Sequence, residues 1–119
     1  MAYIDGLVFA VPTARKAEFI EYGRRGAEVF KRHGALDVVD CWGDDVPDGE
    51  MTSMLKAVKC GPDETVVFAW VLWPSKEVRE AQFEAALVDP EMGAGADQMP
   101  FDGKRMIFGG FEMVVGNGA

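Results

Sequence analysis

The segment at residues 65–73, Thr-Val-Val-Phe-Ala-Trp-Val-Leu-Trp, is apolar at almost every position and rich in β-branched and aromatic residues. This composition predicts a β-strand. Side chains of a strand alternate between two faces, so a strand that is apolar on both faces needs protein cover on both. The strands predicted over residues 3–11 and 105–115 share this property. A sheet built from these strands therefore cannot leave one face to water.

Two helical patterns lie between the strands. Residues 14–33 carry apolar side chains at helical spacing; Thr13 is the predicted N-cap and Gly34 the predicted stop. Residues 75–88 form the second predicted helix, with Ser75 as its N-cap. The first helix is amphipathic, which predicts that it packs one side against the sheet. Gly23 and Gly26 within it indicate places where its backbone comes close to the sheet.

The remaining segments complete the order of elements. Residues 35–42 are predicted as the second strand and residues 43–50 as an acidic loop, whereas residues 52–59 fit either a short strand or a helical turn. Residues 91–97 fit one more helical turn. The order β-α-β, β-α-β over a single domain at residues 1–119 predicts an α+β fold. Its expected form is a ferredoxin-like βαββαβ plait, a four-stranded antiparallel sheet with both helices on one face.

The second face of this sheet needs its own cover, because two helices cover only one. An exposed aromatic face of this size is unusual on a soluble monomer. The sequence therefore predicts a homodimer in which two sheets face each other about a two-fold axis. The alternative is that residues 52–59 and 91–97 fold over the open face.

Alternating positions of each strand face opposite sides, and side-chain size predicts which set faces the partner. The positions with bulky side chains are assigned to the dimer side: Phe9, Phe68, Trp70 and Phe108. The positions with small residues are assigned to the helices: Gly6, Ala10 and Ala69. Regular alternation places Asp5 and Glu112 on the dimer side, where Asp40 and Trp42 join them from the second strand. A largely apolar cavity with a few carboxylates is a typical small-molecule pocket.

Asp5 and Glu112 are the candidate catalytic residues. A carboxylate on an apolar strand face is unfavourable unless it is paired or protonated. A raised pKa in a cavity would make either side chain a candidate general base. The alternative is an ion pair with Arg105 or Lys104.

Five further side chains are candidates for ligand binding: Asp40, Trp42, Phe68, Trp70 and Arg105. The tryptophans Trp42, Trp70 and Trp73 would form an aromatic wall, or would belong to the core or the interface. Each buried indole N–H needs an acceptor, which a nearby carboxylate would supply.

Several other features indicate structure rather than chemistry. His33 ends the first helix, where a positive charge complements the helix dipole. The acidic loop lacks the EF-hand spacing, and no dinucleotide or phosphate motif is present, so neither a metal nor a cofactor is predicted. Gly109-Gly110 lies inside a strand pattern and indicates a bulge or a close backbone contact.

The net charge and the cysteines limit the partners and the cellular location that we expect. The net charge of −8 argues against a nucleic-acid partner, since phosphate binding needs clustered basic residues. No membrane span or secretory signal is apparent, and Cys41 and Cys60 are expected to be reduced thiols, so a cytoplasmic protein is predicted.

Segments along nearly the whole chain resemble the DUF1428, or YbaA-like, family of uncharacterised bacterial proteins. They are Tyr3-Ile4-Asp5-Gly6, Cys-Trp-Gly-Asp-Asp-Val-Pro at 41–47, and residues 67–75, 89–92 and 99–112. The resemblance implies the dimeric α+β barrel superfamily, in which two ferredoxin-like sheets close into a barrel. That superfamily includes cofactor-free monooxygenases, haem-dependent enzymes, lactone isomerases and proteins without known activity, so the resemblance brings no catalytic residues with it.

Two classes of function fit these features. The first is a homodimeric protein of unknown function with a small-molecule cavity between its sheets. The alternative is a cofactor-independent enzyme, monooxygenase-like or isomerase-like, that acts on a small apolar substrate with Asp5 or Glu112 moving a proton.

Overall fold

The computed structural model of the chain describes residues 1–92 and 99–117. Its strands are β1 (Tyr3–Pro12), β2 (Asp37–Trp42), β3 (Glu64–Trp73) and β4 (Ile107–Glu112). Its helices are α1 (Lys16–Arg32), α2 (Met54–Ala57) and α3 (Lys76–Leu87), and short 3-10 turns cover Thr13–Arg15 and Gly103–Arg105. Within the described ranges, no helix combines the length and the apolar character that a membrane crossing requires.

The strands form one four-stranded sheet in the order β2-β3-β1-β4, and every neighbouring pair is antiparallel. The central strands β1 and β3 are ten residues each, and the edge strands β2 and β4 are six. The predicted α+β class with a four-stranded antiparallel sheet is confirmed.

Helices α1 and α3 pack on the same face of this sheet. Phe19 of α1 belongs to a core cluster with Phe9, Val11, Val67 and Ala69 of the central strands. A second cluster joins Val71 and Trp73 to Phe30 of α1 and to Val78 and Phe83 of α3. The main core therefore lies between the two helices and one face of the sheet.

The register shows that the predicted grouping of the strand faces was wrong. Phe9 pairs with Val67, so Phe68 points to the opposite face from Phe9. The same alternation puts Asp5, Phe9 and Phe108 on the helix side, and leaves Phe68 and Trp70 on the open face. The alternation of side chains between two faces can be predicted from one strand alone. Which residues of two neighbouring strands lie on the same face depends on the register between the strands.

One end of the open face is covered by the chain itself. Val58, which follows α2, is fully buried with Ala10 and Val66. The helical turn predicted as one alternative for residues 52–59 is present, and Ser53 caps it by accepting a hydrogen bond from the backbone N–H of Lys56. The rest of the open face exposes large apolar side chains: Phe68, Ile107 and Phe111 are 42%, 44% and 59% accessible.

The helix caps confirm one prediction and correct another. The Ser75 hydroxyl accepts a hydrogen bond of 3.2 Å from the backbone N–H of Val78, as an N-cap does. Thr13 is not an N-cap, because its hydroxyl instead bonds the hydroxyl of Thr65 on β3 at 2.7 Å. At the other end of α1, Gly34 has a φ of +105°, which favours glycine and ends the helix as predicted.

The last strand is shorter than predicted at both ends, because residues 103–105 form a 3-10 turn before it and residues 113–115 are no longer part of the strand. The helical turn predicted over residues 91–97 falls largely on residues 93–98, which lie outside the described residues.

Candidate functional site

A cavity of about 330 Å³ lies between α1, α3 and the sheet. Its wall is almost entirely apolar. The sheet contributes Leu7, Phe9, Ala69, Val71 and Phe108, the helices contribute Phe19, Tyr22, Ala27, Phe30 and Phe83, and the segment before β4 contributes Phe101 and Met106. A volume of this size accommodates a molecule of one or two rings.

Asp40 of β2 supplies a carboxylate at the edge of this cavity, opposite Gly23 of α1. A methyl group on Gly23 would lie only 2.9 Å from Oδ2 of Asp40. A side chain at residue 23 would therefore require the end of the Asp40 side chain to shift. The close approach predicted from the two glycines is present at Gly23, whereas Gly26 faces Met92 rather than the sheet.

A second, open groove of about 320 Å³ runs between α1 and the edge strand β2 and shares Asp40 with the cavity. Lys16, Arg24 and Trp42 line this groove. The ammonium of Lys16 lies 5.3 Å from the centroid of the Trp42 ring, within the range of a cation–π contact. Asp40 thus stands between an apolar cavity and a groove with positive charges.

The environment of Asp40 raises the pKa of its carboxyl group above the ordinary value. Although the residue reaches solvent along the groove, the surrounding protein atoms displace water from the carboxyl group and raise its pKa. Burial, followed by the charge of Asp40, also raises the pKa of the neighbouring Tyr22. Among the described residues, the Asp40 carboxylate has no hydrogen bond or ion pair with the protein, and the exposed residue is open to water. Its oxygens are therefore acceptors that the described protein atoms leave unused.

Asp5, in contrast, is held in a buried ion pair. It is 4% exposed, its Oδ2 accepts a 2.9 Å hydrogen bond from Nε1 of Trp73, and its Oδ1 accepts a 2.8 Å bond from Nη2 of Arg79. The bond to Asp5 raises the pKa of Arg79, whose guanidinium packs 4.7 Å from the Phe83 ring. The expectation that a carboxylate accepts from a tryptophan N–H is confirmed, while the cation is Arg79 rather than Arg105 or Lys104.

Arg105 also has a structural position. Its Nη2 and Nη1 donate to the two carboxylate oxygens of Glu64 at 2.6 and 2.8 Å, and its Nε donates to Asp102 at 3.1 Å. Nη1 additionally donates to the carbonyl of Lys59 at 2.9 Å. Arg105 therefore ties the turn before β3 to the turn before β4.

The Glu64–Arg105 pair predicts a loss of stability in acid. The bond from Arg105, with that from the backbone N–H of Gly61, lowers the pKa of Glu64 from 4.5 to about 2. Because the folded pKa is depressed, the stabilisation is full above pH 4.5 and is lost as the pH falls towards 2. In urea titrations, Glu64→Gln should flatten this pH dependence by about 1–2 kcal/mol.

The control for this prediction is Glu84→Gln, on an exposed position of α3. It should keep the wild-type pH dependence of unfolding. An unchanged slope in Glu64→Gln would mean that the pair contributes little to folding.

The other predicted residues lie apart from the cavity edge. Glu112 is exposed at the end of β4, opposite Tyr3. Phe68 and Trp70 lie ring to ring on β3, with centroids 5.7 Å apart, although β3 also brings atoms of Trp70 to the cavity wall. Trp42 lies in the groove, 6.0 Å from the ring of Phe19. Of the predicted site residues, the structure thus brings Asp40, Trp42 and part of Trp70 to one place.

His33 and the acidic loop have structural contacts. Nε2 of His33 lies 2.9 Å from Asp89, and its Nδ1 lies 3.2 Å from Gln82, so the ring joins the ends of α1 and α3. In the acidic loop, the ammonium of Lys56 donates to the carbonyls of Asp48 and Gly49 at 2.6 and 2.7 Å. Within residues 1–92 and 99–117, no group of three His, Cys, Asp or Glu side chains is arranged to hold a metal ion.

Two members of these arrangements, Tyr22 and Arg79, were not predicted from the sequence. The two glycines within the α1 pattern were a signal of close approach, but only the fold shows that Gly23 meets Asp40. Arg79 lies 74 residues from Asp5, and nothing in the local pattern distinguishes it from other exposed helix residues.

The fold and the cavity define a small α+β protein with an apolar pocket between helices and sheet. The sequence matches the family described as "protein of unknown function (DUF1428)" over residues 2–103, and the chain belongs to this family. The uncharacterized protein YbaA of Escherichia coli strain K12 is 49% identical over 115 residues, which are 97% of this chain and 98% of that protein. The YbaA protein of Shigella flexneri has the same identity and coverage. The resemblance inferred from the sequence motifs is confirmed.

Proposed function

We propose that this protein binds a small, largely apolar molecule in the cavity between α1, α3 and the sheet. The observation that carries the proposal is the cavity itself, about 330 Å³ with aromatic walls and the Asp40 carboxylate at its edge. The cavity predicted from the sequence lies between the sheets of two copies; this one lies within a single chain, and the intersheet cavity stays a prediction.

Binding is tested by thermal unfolding of the full chain with a panel of one- and two-ring aromatic compounds. A compound at a hundredfold excess over its dissociation constant should add about 2.7 kcal/mol to the free energy of unfolding and raise Tm. The variant Ala27→Phe, which puts a ring into the cavity from α1, should abolish this increase. Its control is Ala17→Phe, because Ala17 is exposed on the same helix.

Two results would overturn the binding proposal. One is that no compound in the panel stabilises the wild-type protein. The other is that Ala27→Phe, shown to be folded by circular dichroism, binds as tightly as the wild type.

The same proposal includes a homodimer of ferredoxin-like plaits whose open faces meet, as in the dimeric α+β barrel superfamily. The sheet order and the placement of α1 and α3 on one face support the plait. The exposed apolar side chains Phe68, Ile107 and Phe111 support the dimer, because α2 covers only the other end of that face.

Sedimentation velocity tests the dimer. The sedimentation of the wild-type protein should give a mass twice the 13.0 kDa of one chain. The variant Phe68→Glu should give the mass of the monomer. Val88→Glu is the matched control, since Val88 is an exposed apolar residue at the end of α3. A wild-type protein that sediments as a monomer at micromolar concentration would contradict the dimer.

A second candidate function is cofactor-independent catalysis, monooxygenase-like or isomerase-like, with Asp40 as the proton acceptor. The observation that favours it is the raised pKa of Asp40 beside an apolar cavity, a combination suited to a general base. Bound compounds with an acidic C–H should exchange that proton in D₂O faster with the wild type than with Asp40→Asn, as followed by NMR. Equal exchange rates with both proteins would contradict the catalytic function and leave only the binding function.

A further inference from the structure

Among the described residues, Asp40 is the one acidic side chain that lines both the cavity and the groove beside it. Its carboxylate faces Gly23, and the residue is open to solvent along the groove. A carboxylate beside an apolar cavity binds a donor from a ligand more strongly than a neutral acceptor would. A ligand in the cavity that carries a donor can therefore take the place of water at this carboxylate.

The charges around Asp40 restrict the class of donor. Lys16 and Arg24 line the same groove, and the charge of Arg25 reaches Tyr22. Neither Lys16 nor Arg24 lines the cavity itself, but their charges weaken the attraction of the shared Asp40 for a positively charged ligand, while Asp40 itself repels an anion. A neutral hydroxyl or N–H donor meets neither effect.

The residues of the cavity wall indicate what the rest of the ligand is like. Phe9 stacks on Phe101 with centroids 4.5 Å apart, and Tyr22 meets the Phe101 ring edge-on at 5.9 Å. Aromatic walls of this kind favour a flat ring system, which can stack or meet ring edges without losing rotational freedom.

We infer that Asp40 makes the cavity selective for neutral aromatic molecules of one or two rings that carry a hydroxyl or N–H donor. This inference rests on the proposed binding function, and it adds the ligand class and the residue that recognises it. Gly23 is the positioning residue, since any side chain there would displace the carboxylate.

The test uses indole and benzofuran, which have the same size and shape but differ in the presence of an N–H donor. Calorimetric titration of the full chain should give an indole affinity about tenfold or more above that of benzofuran. In Asp40→Asn the indole affinity should fall to within about threefold of the benzofuran affinity, which itself should stay unchanged. Tryptamine, which adds an ammonium to indole, should bind more weakly than indole to the wild type.

The control variant is Asp37→Asn, the same substitution on the same strand at an exposed position that does not line the cavity. It should keep the wild-type preference for indole. Gly23→Ala should reduce the indole preference while the carboxylate is still present, which distinguishes the position of the charge from its mere presence.

The possible outcomes distinguish a failure of this inference from a failure of the binding proposal on which it rests. If indole and benzofuran bind equally well, or if Asp40→Asn keeps the preference, the ligand class is wrong and the binding function stands. If tryptamine binds more tightly than indole, the ligand is a cation. If no compound binds at all, the binding function fails, and the inference fails with it.

Discussion

Replacement of Arg79 by alanine should destabilise the protein by about 3–5 kcal/mol, the cost of leaving a buried carboxylate without its cation. Asp5 is 4% exposed, and it accepts from both Nη2 and Nε of Arg79 at 2.8–3.2 Å. Without the guanidinium, only the N–H of Trp73 remains to satisfy the charge. Urea unfolding followed by tryptophan fluorescence measures the loss.

The double variant Asp5→Leu/Arg79→Met should recover part of this stability, because it removes both charges from the site but leaves the buried N–H of Trp73 without its acceptor. The control is Glu80→Ala on the next residue of α3, whose ion pair with Lys76 is exposed and 3.8 Å long. It should change the free energy of unfolding by less than about 0.5 kcal/mol. A loss below 1 kcal/mol in Arg79→Ala would show that water reaches Asp5 in solution.

Replacement of Gly110 by alanine should destabilise the protein by about 2–3 kcal/mol through overpacking. An added methyl group would lie 2.8 Å from two carbons of the Tyr3 ring and closer still to its hydroxyl. Tyr3 cannot move away freely, because its ring packs with the Trp73 cluster and lies 5.8 Å from the Arg79 guanidinium. Thermal and urea unfolding of the variant measure this effect.

Gly109→Ala is the matched control for this prediction. A methyl group on Gly109 would meet the Phe111 ring at 3.6 Å, an ordinary contact, and alanine should be neutral or slightly stabilising there. Equal losses in the two variants would mean that glycine is needed at both positions for the backbone rather than for space. The two residues pair regularly with Asp5 and Gly6 without a bulge, and the close contact at Gly110 is with the Tyr3 side chain rather than the predicted contact with backbone.

In the structure, the carboxylate at the candidate site is that of Asp40 rather than that of Asp5 or Glu112. An unpaired carboxylate on an apolar strand was the criterion for a candidate site. Asp5 satisfies it only in the sequence, because Arg79 and Trp73 pair with it in the fold. Asp40 satisfies it in the fold, where it lies at the cavity edge beside Gly23 without an ion pair among the described residues.

Local patterns in the sequence were sufficient for the elements and the class of fold. Alternation in β1 and β3, the helical spacing in α1, the Ser75 cap and the Gly34 stop all depend on residues within a few positions of one another. Even the need for cover on both faces followed from β3 alone. These features are properties of short segments and need no knowledge of their neighbours.

The pairing of strands and the partners of charged side chains were settled by contacts between distant parts of the chain. A register in which Phe9 faces Val67 rather than Phe68 reverses the face of every later residue on β3, although the sequence of each strand is unchanged. The partnership of Asp5 with Arg79 spans 74 residues, and the approach of Gly23 to Asp40 depends on how α1 crosses the sheet. Such contacts depend on the summed packing of the whole core, so the site emerges only once the helices and the sheet are in place.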